Sequence, residues 1–199
     1  IVSTDIKGLR IGEKENKMGW RASDTRQIYF ENMEINSKHI LCFPKNRIDE
    51  FFKGLNPGRI SIGALSVGTA TAAYEKALVY SKDRVAFNKP INHFQSNSFK
   101  LADMATKIEA SKLLVYHAAW LKDQGKNFLK EAAMAKLYAS ESAMKITREA
   151  IQIHGGYGYV HEYDVERFFR DAKILEIVEG TSEMQRLTIF KESIKELTI

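Results

Sequence analysis

FLKEAAMAKLYASESAMKITREAIQIH, residues 128–154, is the stretch that decides the fold, and it ends at Gly155-Gly156. Apolar residues recur in it every three or four positions, which is the spacing of one face of an α-helix. A pair of glycines is a common signal for the C-terminal end of a helix. The stretch therefore predicts a long helix, with these positions facing inward: Ala133, Leu137, Ala143, Ile146, Ala150 and Ile151.

Helical spacing also precedes this stretch. It begins near Asn56, and the first apolar stripe contains Ile60, Ala64, Val67, Ala70, Ala73, Ala77 and Tyr80. Gly63 and Gly68 interrupt the stripe at a cost in helix propensity, which indicates close backbone packing at both positions. The segment Arg84–Pro90 breaks this helix, and a second helix runs to Gly125, with Trp120 expected in the core.

Two further helices follow the Gly155-Gly156 turn. The first covers about Asp164–Leu175, and the last begins near Ser182. Ser182 and Gln185 have the spacing of a capping box. Long helices joined by short loops favour an antiparallel up-down bundle.

Residues 1–45 differ in character from the rest. Leu9–Gly12 and Arg26–Phe30 are short runs of alternating apolar and polar residues between turn residues, which predicts strands. Two strands alone are marginal in water, so we expect them to be the end of a larger sheet. The predicted fold class is mainly α, an antiparallel up-down helical bundle (46–199) preceded by a short β segment from an incomplete β-domain (1–45).

Composition excludes several classes of protein. The chain has 199 residues, 44% of them hydrophobic, and a net charge of +5, which suits a globular domain and not a disordered one. The single cysteine, Cys42, excludes a disulfide scaffold, and the histidines lack metal-ligand spacing. No apolar run is long enough to span a membrane, and no nucleic-acid-binding pattern is present. Because the first residue is Ile1, we expect the sequence to start partway through a longer protein.

The richest stretch for chemistry is Ile177-Val178-Glu179-Gly180-Thr181-Ser182-Glu183. Glu179 precedes a glycine and a helix N-terminus, whose free N–H groups can bind a carbonyl oxygen. It could act as a general base that removes a proton next to a carbonyl group. The alternative is a glutamate in an ordinary turn between helices.

Two other stretches could hold an anion. In Arg84–Pro90, Arg84 and Lys89 could bind phosphate, although such a stretch is more often a solvated loop. The glycine-rich turn after Gln152 could cradle phosphate, but it ends a helix instead of starting one and lacks a dinucleotide-binding fingerprint.

Taken together and in order, these stretches resemble the acyl-CoA dehydrogenase family. The family pattern Arg-x-x-Phe-Gly-x-x-Ile followed by Gln is matched by Arg84, Phe87, Ile91 and Gln95, with Asn88 in place of the usual glycine. The glycine-rich pattern is matched by Gln152, Gly155, Gly156, Gly158 and Tyr159. The closing signature is matched by Arg170-Asp171-Ala172 and by Glu179-Gly180-Thr181-Ser182-Glu183. The resemblance covers essentially the whole chain and corresponds to the second half of a family member.

The resemblance implies FAD-dependent α,β-dehydrogenation of acyl-CoA thioesters, with Glu179 as the catalytic base. It implies cofactor contacts from Arg84, Phe87, Gln95, Gln152, Gly155, Gly156, Thr181 and Glu183, of which only the last two serve the flavin of their own subunit. It implies substrate contacts from Arg59 and Gly180. Asn56 stands where the family has an aspartate, three residues before Arg59.

The resemblance also implies partners and a compartment: an electron-transfer flavoprotein, a homodimer or homotetramer, and the cytoplasm, or the mitochondrial matrix in a eukaryote. We expect these 199 residues alone to be inactive. Two alternatives stay open: a flavin acyl-CoA oxidase, and a non-catalytic helical oligomerisation module in which the glycines serve only as helix caps.

Overall fold

The structure, a computed structural model, describes residues 1–40 and 47–197. The chain forms two compact units, Ile1–Lys53 and Gly54–Ile199. Cys42 and the predicted domain boundary after residue 45 lie outside the described residues.

The first unit contains an antiparallel β-hairpin. Strand β1 (Leu9–Lys14) pairs with β2 (Arg26–Phe30), so that Ile11 lies opposite Ile28, with an irregularity in register before Lys14. Both predicted strands are therefore confirmed. Every residue of β2 is exposed, which leaves the Ile28 and Phe30 side chains in contact with solvent.

Helices make up most of the rest of the chain, as predicted. Their bounds are α1 (Arg47–Asp83), α2 (Gln95–Asp123), α3 (Leu129–His154), α4 (Val165–Ala172) and α5 (Ser182–Leu197). Short 3-10 turns connect α3 to α4 and follow α4, the last of them at Lys173–Glu176. The mainly α fold class is confirmed.

Helix α3 lies at the centre of the bundle. Small side chains on it, including Ala132 and Ala135, are fully buried against Val115 and Ala118 of α2. Small residues let helix axes approach closely, so the interior depends on tight backbone packing. Partly buried Ile60, Val67, Leu114 and Phe128 complete this cluster.

Helices α3 and α5 run antiparallel. Glu141 of α3 forms an ion pair with Arg186 near the start of α5. Lys130, eleven residues earlier on α3, forms an ion pair with Glu196 near the end of α5. The ion pair near the start of α5 thus involves the later residue of α3, and the pair near the end of α5 involves the earlier one. The two helices therefore run in opposite directions.

The structure corrects three details of the sequence prediction for α1 and α2. Helix α1 begins at Arg47 instead of near Asn56 and contains Pro57, a residue that removes a helical hydrogen bond and favours a break. Ala64 is exposed, and the buried positions beside it are Ile62 and Ser66. Trp120 is half exposed on α2, because alanines supply the core at that level.

The two interior glycines of α1 differ in their surroundings. A Cβ on Gly63 would lie 2.9 Å from Cγ2 of Val115 and 3.7 Å from the backbone of Ala135. The predicted close packing at Gly63 is therefore confirmed. A Cβ on Gly68 would meet nothing within 4 Å, so the same prediction for Gly68 is wrong.

The segment between α1 and α2 forms a second hairpin, from β3 (Val85–Ala86) and β4 (Lys89–Pro90). Its two-residue turn, Phe87-Asn88, has φ of 51° and 62°. Positive φ at both turn residues matches the twist of paired strands, and asparagine adopts it more readily than most residues. This explains how Asn88 can stand where the resembled family has glycine.

We expect alanine at the two glycines of α1 to have opposite effects. Gly68→Ala gains helix propensity in open space and stabilises the protein by roughly 0.5–1 kcal/mol. Gly63→Ala gains the same propensity but forces Val115 aside, with a net loss of roughly 1 kcal/mol. Urea unfolding followed by circular dichroism measures both, and equal stabilisation by the two variants would contradict the packing described for Gly63.

Candidate active site

The loop that carries Glu179 has an unusual backbone. Glu179 and Gly180 follow each other with φ of 53° and 88°, between the 3-10 turn at Lys173–Glu176 and α5. A left-handed conformation costs a residue with a side chain about 1–2 kcal/mol, and it persists only where neighbours hold it in place. The strain therefore indicates that the direction of the Glu179 side chain matters.

The side chain of Gln185 holds this loop in place through hydrogen bonds. Its fully buried side-chain amide donates from Nε2 to the carbonyl oxygens of Glu179 (3.1 Å) and Gly180 (2.8 Å). A Cβ on Gly180 would lie 2.9 Å from the same nitrogen, so the site requires glycine. Sequence reasoning assigned Gln185 to a helix cap and missed its role as a clamp on the loop.

The predicted capping box of Ser182 and Gln185 is wrong, because the cap lies one residue earlier. The Thr181 hydroxyl accepts a hydrogen bond from the backbone N–H of Met184 (3.4 Å), while the Ser182 hydroxyl has no partner in the described part of the chain. Glu183 is exposed in the first turn of α5. Hydrogen bonds from its own backbone N–H and from the Thr181 hydroxyl lower the pKa of Glu183.

One oxygen of the Glu179 carboxylate is shielded from water and has no donor in the described part of the chain. This oxygen, Oε2, is buried and has no hydrogen-bond partner among residues 1–40 and 47–197. The carboxylate packs against α1, where a Cβ on Gly58 would lie only 2.5 Å from Oε2. Sequence reasoning did not single out Gly58, although its place directly before Arg59 is a signal for close approach.

Arg59 lies near enough to Glu179 for their charges to interact. The Nε and Nη1 atoms of its half-buried guanidinium have no hydrogen-bond partner within the described ranges. Burial lowers the pKa of Arg59, and the charge of Glu179 raises it in part. A cation and a carboxylate thus lie near each other in a place with little water, each with unused hydrogen-bonding capacity.

A second group of predicted site residues lines a cavity of about 480 Å³ at the other end of α1. Arg84, Gly155 and Gly156 all contribute to its wall. Gly155 ends α3 with φ of 61°, and a Cβ on either glycine would meet nothing within 4 Å. The cavity joins a cation to a bare stretch of backbone, which is a combination that suits phosphate.

Besides Thr181 and Glu183 near Glu179, three predicted cofactor residues do not line this cavity. Gln95 and Gln152 are exposed, and Phe87 is 90% exposed at the tip of the second hairpin. The ring of Phe87 meets that of Phe94 edge-on, with centroids 6.2 Å apart. These side chains point outward from the chain that carries them.

The two groups lie far apart on one rigid element. From Arg59 to Asp83, at the end of α1, the helix extends about 36 Å at a rise of about 1.5 Å per residue. Arg84 follows directly, so the second group cannot contact the Glu179 pocket.

Sequence reasoning missed two buried groups. His154 also lines the second cavity, where its ring stacks on Tyr80 at 4.3 Å and its Nδ1 lies 2.8 Å from the carbonyl oxygen of Ala150. Burial is the main cause that lowers the pKa of His154. Lys136 is fully buried in α3. Its position within the apolar face of residues 128–154 was a signal that could have identified it.

Metal-binding clusters and membrane-spanning helices are both absent from the described residues. No group of three or more histidine, cysteine, aspartate or glutamate side chains there could hold a metal ion. None of the helices in that part of the chain is both long and apolar enough to cross a membrane.

Comparisons with known proteins give the same family throughout. Residues 49–194 match the family described as acyl-CoA dehydrogenase, C-terminal domain. A probable acyl-CoA dehydrogenase of Bacillus subtilis (strain 168) is 50% identical over 98% of this chain and 51% of its own length. The CarC subunit of the caffeyl-CoA reductase-Etf complex of Acetobacterium woodii is 44% identical over 95% of this chain and 50% of its own.

A solved structure agrees. Butyryl-CoA dehydrogenase from Megasphaera elsdenii superposes with a TM-score of 0.94 at 44% identity, over 97% of this chain and 50% of that one. The chain spans about half the length of the relatives it matches. On the matched residues, the shared fold and the level of identity, the chain belongs to the acyl-CoA dehydrogenase family.

Proposed function

We propose that the protein containing this chain carries out FAD-dependent α,β-dehydrogenation of acyl-CoA thioesters. The observation that supports this most directly is the Glu179 carboxylate, whose Oε2 atom is buried without a hydrogen-bond donor on a strained loop. An oxygen without a hydrogen-bond donor is free to accept a proton, which is what a general base must do.

In this proposal Glu179 removes the proton from the α-carbon of the acyl group. The backbone N–H of Glu179 donates to the thioester oxygen, which stabilises the negative charge that develops there. Gly180 leaves room for the substrate beside the loop, because it carries no side chain. Gln185 holds the Glu179 and Gly180 carbonyl oxygens, so the N–H group and the carboxylate keep their relative positions.

Arg59 places a positive charge near the base. Its guanidinium lies near the Glu179 carboxylate without a hydrogen bond between them, so the attraction is electrostatic and leaves the carboxylate oxygens free. An acyl chain that enters the site excludes water from both charged groups.

The residues of the second cavity fit part of FAD. Arg84 could pair with phosphate beside the bare backbone of Gly155 and Gly156, and the stacked rings of Tyr80 and His154 offer a surface to a planar base. When bound, FAD supplies the acceptor for the hydride that leaves the β-carbon. Thr181 and Glu183, beside Glu179, would hold the flavin of their own subunit.

The distance between the two groups supports an oligomer. About 36 Å of α1 separates the Glu179 pocket from the Arg84 cavity, so we propose that the second group binds the flavin of a neighbouring subunit. Phe87, Gln95 and Gln152 point outward on this surface, where a partner could use them. The protein would then be a homodimer or a homotetramer with shared sites.

An electron-transfer flavoprotein is the proposed electron acceptor, and the name of the related CarC subunit includes an Etf complex.

We also propose that residues 1–45 belong to a middle β-domain and that 46–199 form the C-terminal helical domain. The enzyme would work in the cytoplasm, or in the mitochondrial matrix of a eukaryote. An acyl-CoA oxidase remains the second candidate, and release of hydrogen peroxide under oxygen would identify it.

The first prediction about the proposed function concerns Glu179→Gln in the full-length protein. Butyryl-CoA added without oxygen should bleach the flavin absorbance of the wild type, and the glutamine variant should bleach roughly 10²–10⁴-fold more slowly because it cannot accept the proton. Glu109→Gln, at an exposed position on α2, is the control. Equal bleaching by all three proteins would refute the role of Glu179, and a wild type without flavin would favour the oligomerisation module.

The second prediction concerns Gly58→Ala. The added methyl group would lie 2.5 Å from Oε2 of Glu179 and must displace the carboxylate. We expect bleaching to slow roughly 10²-fold while flavin remains bound, since a shift of about 1 Å has this effect on a positioned group. Gly68→Ala, which contacts nothing, is the matched control. Unchanged bleaching in Gly58→Ala would mean that the carboxylate can act from another position.

The third prediction concerns Arg84→Met. Loss of a charge-assisted phosphate contact should weaken flavin binding roughly 10-fold, while Arg148→Met on the exposed face of α3 should not. Flavin release measured by ultrafiltration checks this. If both variants retain flavin like the wild type, Arg84 does not contact the cofactor.

A further inference from the structure

Lys136 is the most deeply buried charged side chain of the described bundle that the proposed reaction does not use. It lies in the middle of α3 with none of its surface exposed. Alanine and serine occupy the helix positions around it, at Ala132, Ala133, Ala139 and Ser140. A lysine in such surroundings cannot extend its ammonium group to solvent.

The ammonium group also lacks a partner. Nζ of Lys136 makes no hydrogen bond to any residue that the structure describes. Charged groups face it from four elements: Glu176 in the 3-10 turn, Arg59 on α1, Glu183 on α5 and Glu141 on α3.

Two of these carboxylates already have cations of their own. Glu176 pairs with Lys173 at 2.6 Å, and Glu141 pairs with Arg186. The charge of Lys136 is therefore attracted by Glu176 but not neutralised by it. Burial lowers the pKa of Lys136 to about 8, with Glu176 acting against this and Arg59 adding to it.

This arrangement destabilises the fold. A buried cation without a hydrogen bond is costly, and a methionine of similar length would fill the same space without the charge. The folded chain binds this proton less tightly than the unfolded chain, whose lysine has its ordinary value of 10.5. The cost is therefore fully present below pH 8 and disappears as the pH rises toward 10.5.

The neighbours of Lys136 connect it to the base. Two charges act on the guanidinium of Arg59. The ammonium group of Lys136 repels it, and the carboxylate of Glu179 attracts it. Glu176, which Lys136 attracts, lies three residues before Glu179 on the same loop. Lys136 therefore interacts with two neighbours of Glu179, the base on which the proposed reaction depends.

Building on the proposed function, we propose that Lys136 is a positioning residue for Glu179. Its buried charge, unpartnered within the described residues, acts on Arg59, which lies near the Glu179 carboxylate, and on Glu176, three residues before that carboxylate. The protein keeps an energetically costly charge at this position because the geometry of the base depends on it.

The test uses the full-length flavin-bound protein and compares Lys136→Met with Lys145→Met, an exposed lysine on the same helix. We expect Lys136→Met to raise the melting temperature and yet slow flavin bleaching by butyryl-CoA about 10-fold at neutral pH, with little change in KM. The wild-type rate should fall above pH 8, as Lys136 loses its proton, and the rate of the variant should not. Lys145→Met should match the wild type in all three measurements.

Three results would overturn the proposal: a stabilised Lys136→Met with the wild-type rate and pH dependence, a variant that loses stability or does not fold, or equal slowing in Lys145→Met. A thermal-unfolding cycle with Lys136→Met, Arg59→Met and the double variant tests the coupling without any turnover. Non-additive changes in melting temperature support it, and additive ones refute it. A flavin-bound wild type that butyryl-CoA does not bleach would point to a different substrate, and the cycle would still report on Lys136 independently.

Discussion

The contact between Gly58 and the carboxylate of Glu179 is the constraint on which the rest of the site depends. A Cβ on Gly58 would lie 2.5 Å from Oε2, so α1 can approach the loop this closely only through a glycine. Arg59, the next residue, lies near enough to Glu179 for their charges to interact, and both side chains have buried polar atoms without a partner among the described residues. The chemistry proposed for Glu179 thus begins with a close approach of its side chain to a glycine that is distant in sequence.

Rigid packing makes this contact possible. The interior between α1, α2 and α3 includes the small residues Gly63, Ala118, Ala132 and Ala135, which let the helices pack closely. The left-handed backbone of Glu179 and Gly180 is strained, and the buried amide of Gln185 holds both carbonyl oxygens in place. Stability supplied by the bundle is used to maintain a conformation that the loop would not adopt alone.

The sequence carried a large part of the fold. Apolar spacing located α2 to α5 and both strands of the first hairpin, because periodic burial leaves a direct record in the chain. It misplaced the start of α1, since Pro57 ordinarily ends a helix, and it placed Trp120 in the core. Which of two neighbouring faces becomes buried depends on the partner helix, and periodicity alone does not contain that information.

For the site, the sequence by itself determined which residues are present: a glutamate before a glycine and a helix start, an arginine on α1, and a glycine pair after α3. Only the tertiary structure decided that Glu179 meets Gly58 and Arg59, that Arg84 joins Gly155 and Gly156 some 36 Å of helix away, and that Lys136 is buried. The physical reason is that burial and the loss of hydration arise between elements far apart in the chain, whereas local sequence records only propensity and period.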